Sequence, residues 1–199
     1  MKKIITMVTI LSIGLGAFVV FKRDNKVSYN KDQAFSASYA IPQDLEQLKE
    51  KSPIIVQGRF TGKREADKDK NIIGPSTISQ FKVDEVYKGN IGKKTVSVIE
   101  PFEIEKKDFA NIEGYIPMIE NQDYVLFLRE NDTEFGKQYT IISISFGKYN
   151  LSNENEVKEQ TKEIKYFDEV KKQDFIPQSP QECKIYNNIK EDIVDNYKN

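Results

Sequence analysis

Between Ile54 and Leu151 the chain alternates apolar and polar residues in short runs separated by turn residues, and one of those runs slips out of phase. A two-residue period places alternate side chains on opposite faces, so such runs read as half-buried β-strands rather than helices. The first is Ile54 to Thr61, with Ile54, Val56, Gly58 and Phe60 on one face and Gln57 and Arg59 on the other. Gly58 carries no side chain and lets the strand coil. The second, Thr77 to Tyr87, holds the slip. Phe81 and Val83 share a face, but the next apolar residue, Val86, is one position out. An extra residue near Asp84 or Glu85, a β-bulge, restores the phase, bends the strand and turns Val86 inward. Bent, bulged strands are what a small closed barrel requires.

Three further strands complete the run. Lys88-Gly89-Asn90 is a turn, and Thr95 to Ile99 comes next with Val96 and Val98 on one face, ended by Pro101. Phe102 to Met118 reads as a long irregular connection punctuated by Gly114 and Pro117. In Asp123 to Arg129, Tyr124, Leu126 and Leu128 alternate with Val125 and Phe127, so both faces are apolar and the outer one needs a cover, for which flanking helices are the candidates. Gln138 to Phe146 is the fifth, with Ile142, Ile144 and Phe146 inward, and Lys148 to Leu151 continues as a short edge.

The flanks read as helical. Pro42 opens a short helix carrying Leu45 and Leu48, closed by Ser52-Pro53 because a residue before proline avoids the α region. Val157, Ile164, Phe167 and Val170 predict an amphipathic helix over 156–172, and Ile185, Ile189, Ile193, Val194 and Tyr197 a final one over 184–197. The organisation is therefore an N-terminal segment over 1–23, a polar linker over 24–40, a barrel domain over 41–152 and a C-terminal helical extension over 153–199.

The N-terminal segment sets the expected compartment. Residues 4–21 are uncharged and flanked by Lys2, Lys3, Lys22 and Arg23. At about 1.5 Å rise per residue they reach about 27 Å, close to a bilayer's roughly 30 Å hydrocarbon core. Two readings stand: an uncleaved single-pass anchor, or a signal peptide cleaved at a poor small-residue site around Gly14 and Gly16. Both put the rest of the chain outside the cytoplasm. No cysteine lies near the span, which excludes a lipoprotein anchor. A net charge of −1, from 30 basic and 31 acidic residues, supplies no field to gather nucleic acid or anionic lipid. Cys183 is the single cysteine, so no internal disulfide can form, and nothing around it would activate the thiol.

The runs "IIVQGRF", "FKVDEVYKG", "VSVIEP", "GYIP" into "YVLFL", and "GKYNL" resemble bacterial extracytoplasmic domains related to the netrin and tissue-inhibitor-of-metalloproteinase modules. The resemblance spans about Leu45 to Leu151. It implies a mainly β fold, a five-stranded OB-type Greek-key barrel packed with helices, and a role in binding. The inhibitory mechanism known in that wider family uses an N-terminal cysteine on the protease zinc together with disulfides. It is not carried over, because Cys183 lies far downstream.

Chemistry-bearing residues are sparse. Without histidine, no Ser-His, Cys-His or His-metal arrangement is possible. Glu100, Glu103 and Glu105 cluster after the third strand, but glutamates at a loop entrance read as solvated, and a carboxylate-based hydrolase is the weakest function considered. Asp67, Asp69 and Asn71 open like a calcium loop, yet Ile72 and Ile78 stand where glycine and glutamate are needed, so the stretch reads as a charged hairpin tip. Basic and aromatic residues on the second strand are interrupted by Asp84 and Glu85, which argues against nucleic acid. Phe102, Phe109, Tyr115 and Met118 remain. Either they pack their connection back onto the barrel, or they form a recognition loop. The expected role is a non-enzymatic, membrane-tethered or secreted extracytoplasmic module that takes a protein or cell-envelope component and needs no cofactor or metal. The alternative is an inhibitor or immunity factor acting on a hydrolase.

Overall fold

Five strands close on themselves, and the phase slip is part of how they do so. The computed structural model describes residues 26–29, 39–67, 74–133 and 136–198. Its elements in chain order are β1 (Ser28–Tyr29), α1 (Leu45–Lys51), β2 (Ile54–Ala66), β3 (Thr77–Lys88), β4 (Thr95–Glu100), β5 (Phe102–Glu105), β6 (Asp108–Asn111), β7 (Asp123–Thr133), β8 (Gly136–Ile141), β9 (Lys148–Asn150) and α2 (Pro180–Tyr197). The barrel runs β2-β3-β4-β8-β7 and closes because β7 pairs with β2 as well as with β8. Every neighbouring pair in it is antiparallel except β4 with β8. A parallel pair needs a crossover, and the chain makes it through β5, β6 and β7.

On β3 the pairing Gln57 with Glu85 gives way to Gly58 with Val83, which leaves Asp84 as the inserted residue. This is the expected bulge. Gly58 sits beside it, where an added Cβ would run into the Lys82 carbonyl and come within 2.9 Å of Phe81 Cε1. Val86 corrects the reading: it pairs with the buried Val56 but is 44% exposed. Pairing of β3 with β4 stops at Lys82, so Val86 stands at the barrel mouth with no strand on its far side.

The two-sided strand is β7. Tyr124, Leu126 and Leu128 join Val56, Phe60, Phe81 and Val98 inside the barrel, while Val125 and Phe127 enter a second core with Leu48, Tyr186, Ile189 and Ile193. The helices cover the outer face, as the alternation requires. Asp44 caps α1 by accepting the Gln47 N–H at 2.8 Å, and Ser52 ends it ahead of Pro53. Ser179 caps α2, whose buried stripe is Tyr186, Ile189, Ile193 and Tyr197; Ile185 is only partly buried.

Three expectations are corrected. There is no helix over 156–172, where the chain is irregular apart from one 3-10 turn at Phe167–Glu169. Its apolar residues serve two cores: Val157 enters the one under α2, and Ile164, Phe167 and Val170 the barrel's. One helical stripe cannot face both. Asn187 of α2 also holds both backbone groups of Val157 at 2.9 Å, replacing helical partners. The fifth barrel strand ends at Ile141 rather than Phe146, because Ser143 and Ile144 adopt left-handed φ of 52° and 55°. The chain then turns through Ile144–Gly147 and carries Phe146 to the outer core, against Phe175 and Tyr186. Finally, the connection after β4 is not irregular. β5 and β6 form a hairpin through Lys106 and Lys107, both at positive φ, and β1 adds to β6 in parallel. Ser28 and Tyr29, read as linker, thus belong to a second, three-stranded sheet.

The expected span over 4–21 and most of the linker lie outside the described residues. Among those described, no helix is long and apolar enough to cross a membrane.

Candidate functional site

The hairpin residues read as a possible recognition loop point inward. Phe102, Phe109, Tyr115 and Met118 are each no more than 3% exposed and belong to the barrel core. Phe109 stacks on Phe167 at 4.4 Å between ring centroids, and Tyr29 closes over it at 5.7 Å. Of the two readings of this segment, packing back onto the barrel describes where these side chains lie. The apolar side chain the hairpin does present is Ile104, the cross-strand partner of Phe109, which is 47% exposed. Alternation puts Ile104 on the face of the buried Phe102, opposite the two glutamates, so the sequence does not mark it as exposed.

Glu100 is not a solvated loop glutamate; it is fully buried at the end of β4. Arg64 Nε and Nη2 donate to its Oε1 at 3.2 and 3.1 Å, and the Ser79 hydroxyl donates to the same oxygen. Tyr115 OH and the Met118 N–H donate to Oε2 at 2.8 and 2.7 Å. Five donors fill a carboxylate that offers about four lone-pair sites. Glu100 therefore ties β2, β3, β4 and the 115–118 segment together and has no lone pair left for a substrate. Glu103 and Glu105 lie exposed on the hairpin.

A second buried cluster fastens the C-terminal extension. Lys148 on β9 donates to the carbonyls of Ile116 at 2.6 Å and Asp174 at 3.1 Å, and its ammonium sits 4.6 Å over the Tyr115 ring. Burial pulls its pKa down to about 8, with the Asp174 and Glu100 charges opposing. Lys190 of α2 pairs with Asp174 at 2.7 Å, and the Asn153 amide donates to the other Asp174 oxygen at 3.2 Å. Tyr186 OH donates to the Lys148 carbonyl at 2.9 Å. Cys183 is half-buried, its thiol near the Val157 carbonyl and its pKa raised by burial, as suits an unreactive side chain.

A recess lies where the β2–β3 ribbon meets the β5–β6 hairpin. This cleft of about 370 Å³ is bordered by Arg64, Glu65, Asp67, Ser76, Phe102, Glu103 and Ile104. Asp67 is 6% exposed; its Oδ2 accepts from the Ser76 hydroxyl at 2.8 Å, while its buried Oδ1 has no partner among the described residues. The neighbouring cation, Arg64, is committed to Glu100, to the Met118 carbonyl at 2.5 Å and to the face of Phe60 at 3.9 Å. Asp69 and Asn71, the other members of the calcium-like run, lie outside the described residues. Among those described, no group of three acidic or cysteine side chains is placed to hold a metal ion.

No family model matches the chain, and no match is found among curated proteins.

Proposed function

We propose that this chain is a non-enzymatic extracytoplasmic binding module, tethered or secreted through residues 4–21, built on an OB-type Greek-key barrel of the netrin-like kind and taking a protein or cell-envelope component. The barrel order β2-β3-β4-β8-β7, with its single parallel closure between the third and fifth barrel strands, supports the OB-type assignment. The observation that carries the binding role is the cleft at the β5–β6 hairpin. It puts an exposed isoleucine beside polar groups on a recessed surface, the mixture that interaction sites combine. The buried ionisable groups of the two clusters, by contrast, are spent holding elements together.

Photo-crosslinking in intact cells, with a photoreactive residue at Ile104 and at a distant control such as Lys184, tests this. A discrete adduct from Ile104 and none from Lys184 is expected; equal, non-specific labelling from both would count against it. A second reading, an inhibitor of a hydrolase, draws on the same hairpin, because Ile104 and the Lys106-Lys107 turn extend its exposed end. In that case Ile104→Arg would abolish inhibition of the captured enzyme while leaving the thermal transition in place.

A further inference from the structure

We propose that the turn of the β5–β6 hairpin rests on the phosphate headgroups of the bilayer that holds residues 4–21, so that the cell-envelope component the module meets is an anionic lipid surface. This rests on the tethered-module reading and names its partner. A short tether orients what it holds. At no more than about 3.6 Å per residue, Lys26 lies within about 18 Å of Phe21 along the chain, whatever path the residues between them take. A domain of this size is roughly 40 Å across, so the bilayer faces the pole at which the chain enters.

That pole is fixed by β1, which is held on both sides. The Ser28 N–H donates to the Lys107 carbonyl at 2.8 Å, the Tyr29 N–H to the Lys165 carbonyl at 2.9 Å, and the Phe167 N–H to the Val27 carbonyl at 3.0 Å. The Tyr29 ring also packs on the buried Phe109. β1 and β6 run parallel with Ser28 level with Asp108, so the chain ahead of Ser28 comes in past the Lys106-Lys107 turn and not at the barrel end of the hairpin.

The turn suits a phosphate surface. Lys26, Lys106 and Lys107 are exposed at it, and Lys22 and Arg23 precede it in the tether. The acidic residues in the same stretches, Asp24, Glu105 and Asp108, are fewer, which leaves a local excess of positive charge. Lys165 and Glu103, further from the turn, balance each other. The Lys106–Glu105 pair at 3.3 Å is exposed on both sides, so Lys106 exchanges that partner for a phosphate at little cost. Ile104, two residues back from the turn and 47% exposed, adds apolar surface for the headgroup region. The whole chain's charge of −1 gives no long-range attraction to lipid. The tether takes its place, holding the turn at high local concentration beside the bilayer, where a lysine interacts most strongly.

The test places the full-length chain in vesicles of equimolar phosphatidylcholine and phosphatidylglycerol that carry a nitroxide on some headgroups. A fluorophore is attached through Ile104→Cys or, as a distant control, Lys184→Cys, each in a Cys183→Ser background. Strong quenching at 104 and little at 184 is expected. Lys106→Glu combined with Lys107→Glu should lower the quenching at 104 by about fivefold. Vesicles of phosphatidylcholine alone should lower it as well, and that comparison needs no charge variant to fold. Equal quenching at the two positions would overturn the proposal, and so would quenching at 104 that neither the charge reversals nor the neutral lipid reduces. A chain stripped from the vesicles by alkaline carbonate would overturn the tethered reading and this proposal with it, whereas a retained chain with equal quenching overturns the hairpin contact alone.

Discussion

Glu100 and Lys148 are both fully buried ionisable side chains, and the fold treats them differently. Glu100 sits at the end of a sheet, where a strand, a hydroxyl, a phenol and a backbone amide converge, and it also receives an opposite charge from Arg64. Lys148 sits between the barrel's second layer and the C-terminal extension. It donates to two carbonyls and lies over Tyr115, with Asp174 contributing its backbone oxygen while the Asp174 carboxylate goes to Lys190. The first site is charge-paired and saturated; the second is neutral-partnered and strained by desolvation. Buried charge is thus used within the barrel as a saturated lock and at its outer layer as a costlier clasp.

The comparison breaks first at Glu100. Glu100→Ala strands Arg64 and three other donors in the barrel end, so urea denaturation should show a loss of about 3 to 5 kcal/mol. A loss under about 1 kcal/mol would mean that water reaches the site. Lys148→Met should cost less, about 1 to 3 kcal/mol, because the two carbonyls lose their donor while a desolvated charge is removed.

The pH dependence separates the two further. With its folded pKa lowered to about 8 against an ordinary 10.5, Lys148 binds fewer protons in the folded chain than in the unfolded one between those values. Its contribution to stability therefore rises with pH through that window and is level below it. Denaturation midpoints of the wild type relative to Lys148→Met should climb between pH 8 and 10.5, and a flat difference would remove the assigned burial penalty. Above about pH 10 the buried phenols act oppositely. Burial raises the pKa values of Tyr115, Tyr149 and Tyr186, so stability is lost as pH rises past the unfolded tyrosine value.

Smaller effects mark the edges of the two clusters. Tyr186→Phe removes the hydroxyl on the Lys148 carbonyl and should cost about 1 kcal/mol, measurable by the same denaturation. Val86→Asp lies outside both clusters at the barrel mouth and should change stability by no more than about 0.5 kcal/mol. A cost of several kcal/mol would place Val86 in the core after all.

Much of the barrel is legible in the sequence because period-two alternation is local. Gly58, the bulge at Asp84, the two-sided β7 and the helices that cover it all derive from side chains a few residues apart. The hairpin β5–β6 is not, because Lys106-Lys107 lacks the glycine or asparagine that signals a tight turn and each strand is four residues long. The candidate site is legible only in its parts. Along the chain Asp67 keeps company with Asp69 and Asn71, and Glu100 with the solvated Glu103 and Glu105, yet sequence neighbours say nothing about which strands meet at hydrogen-bond distance. The 156–172 segment misleads for the converse reason: helical spacing is present, but its residues are divided between two cores.

By itself the sequence determined the alternation, the inserted residue, the short helix closed by Ser52-Pro53 and the absence of any histidine chemistry, all properties of residue type and near spacing. Only the tertiary structure decided that Phe102, Phe109, Tyr115 and Met118 face inward, that Glu100 is saturated while one buried Asp67 oxygen has no partner among the described residues, and that Lys148 is desolvated. Burial and hydrogen-bond satisfaction depend on which distant segments converge, and that convergence is set by barrel closure, not by any local run of the chain.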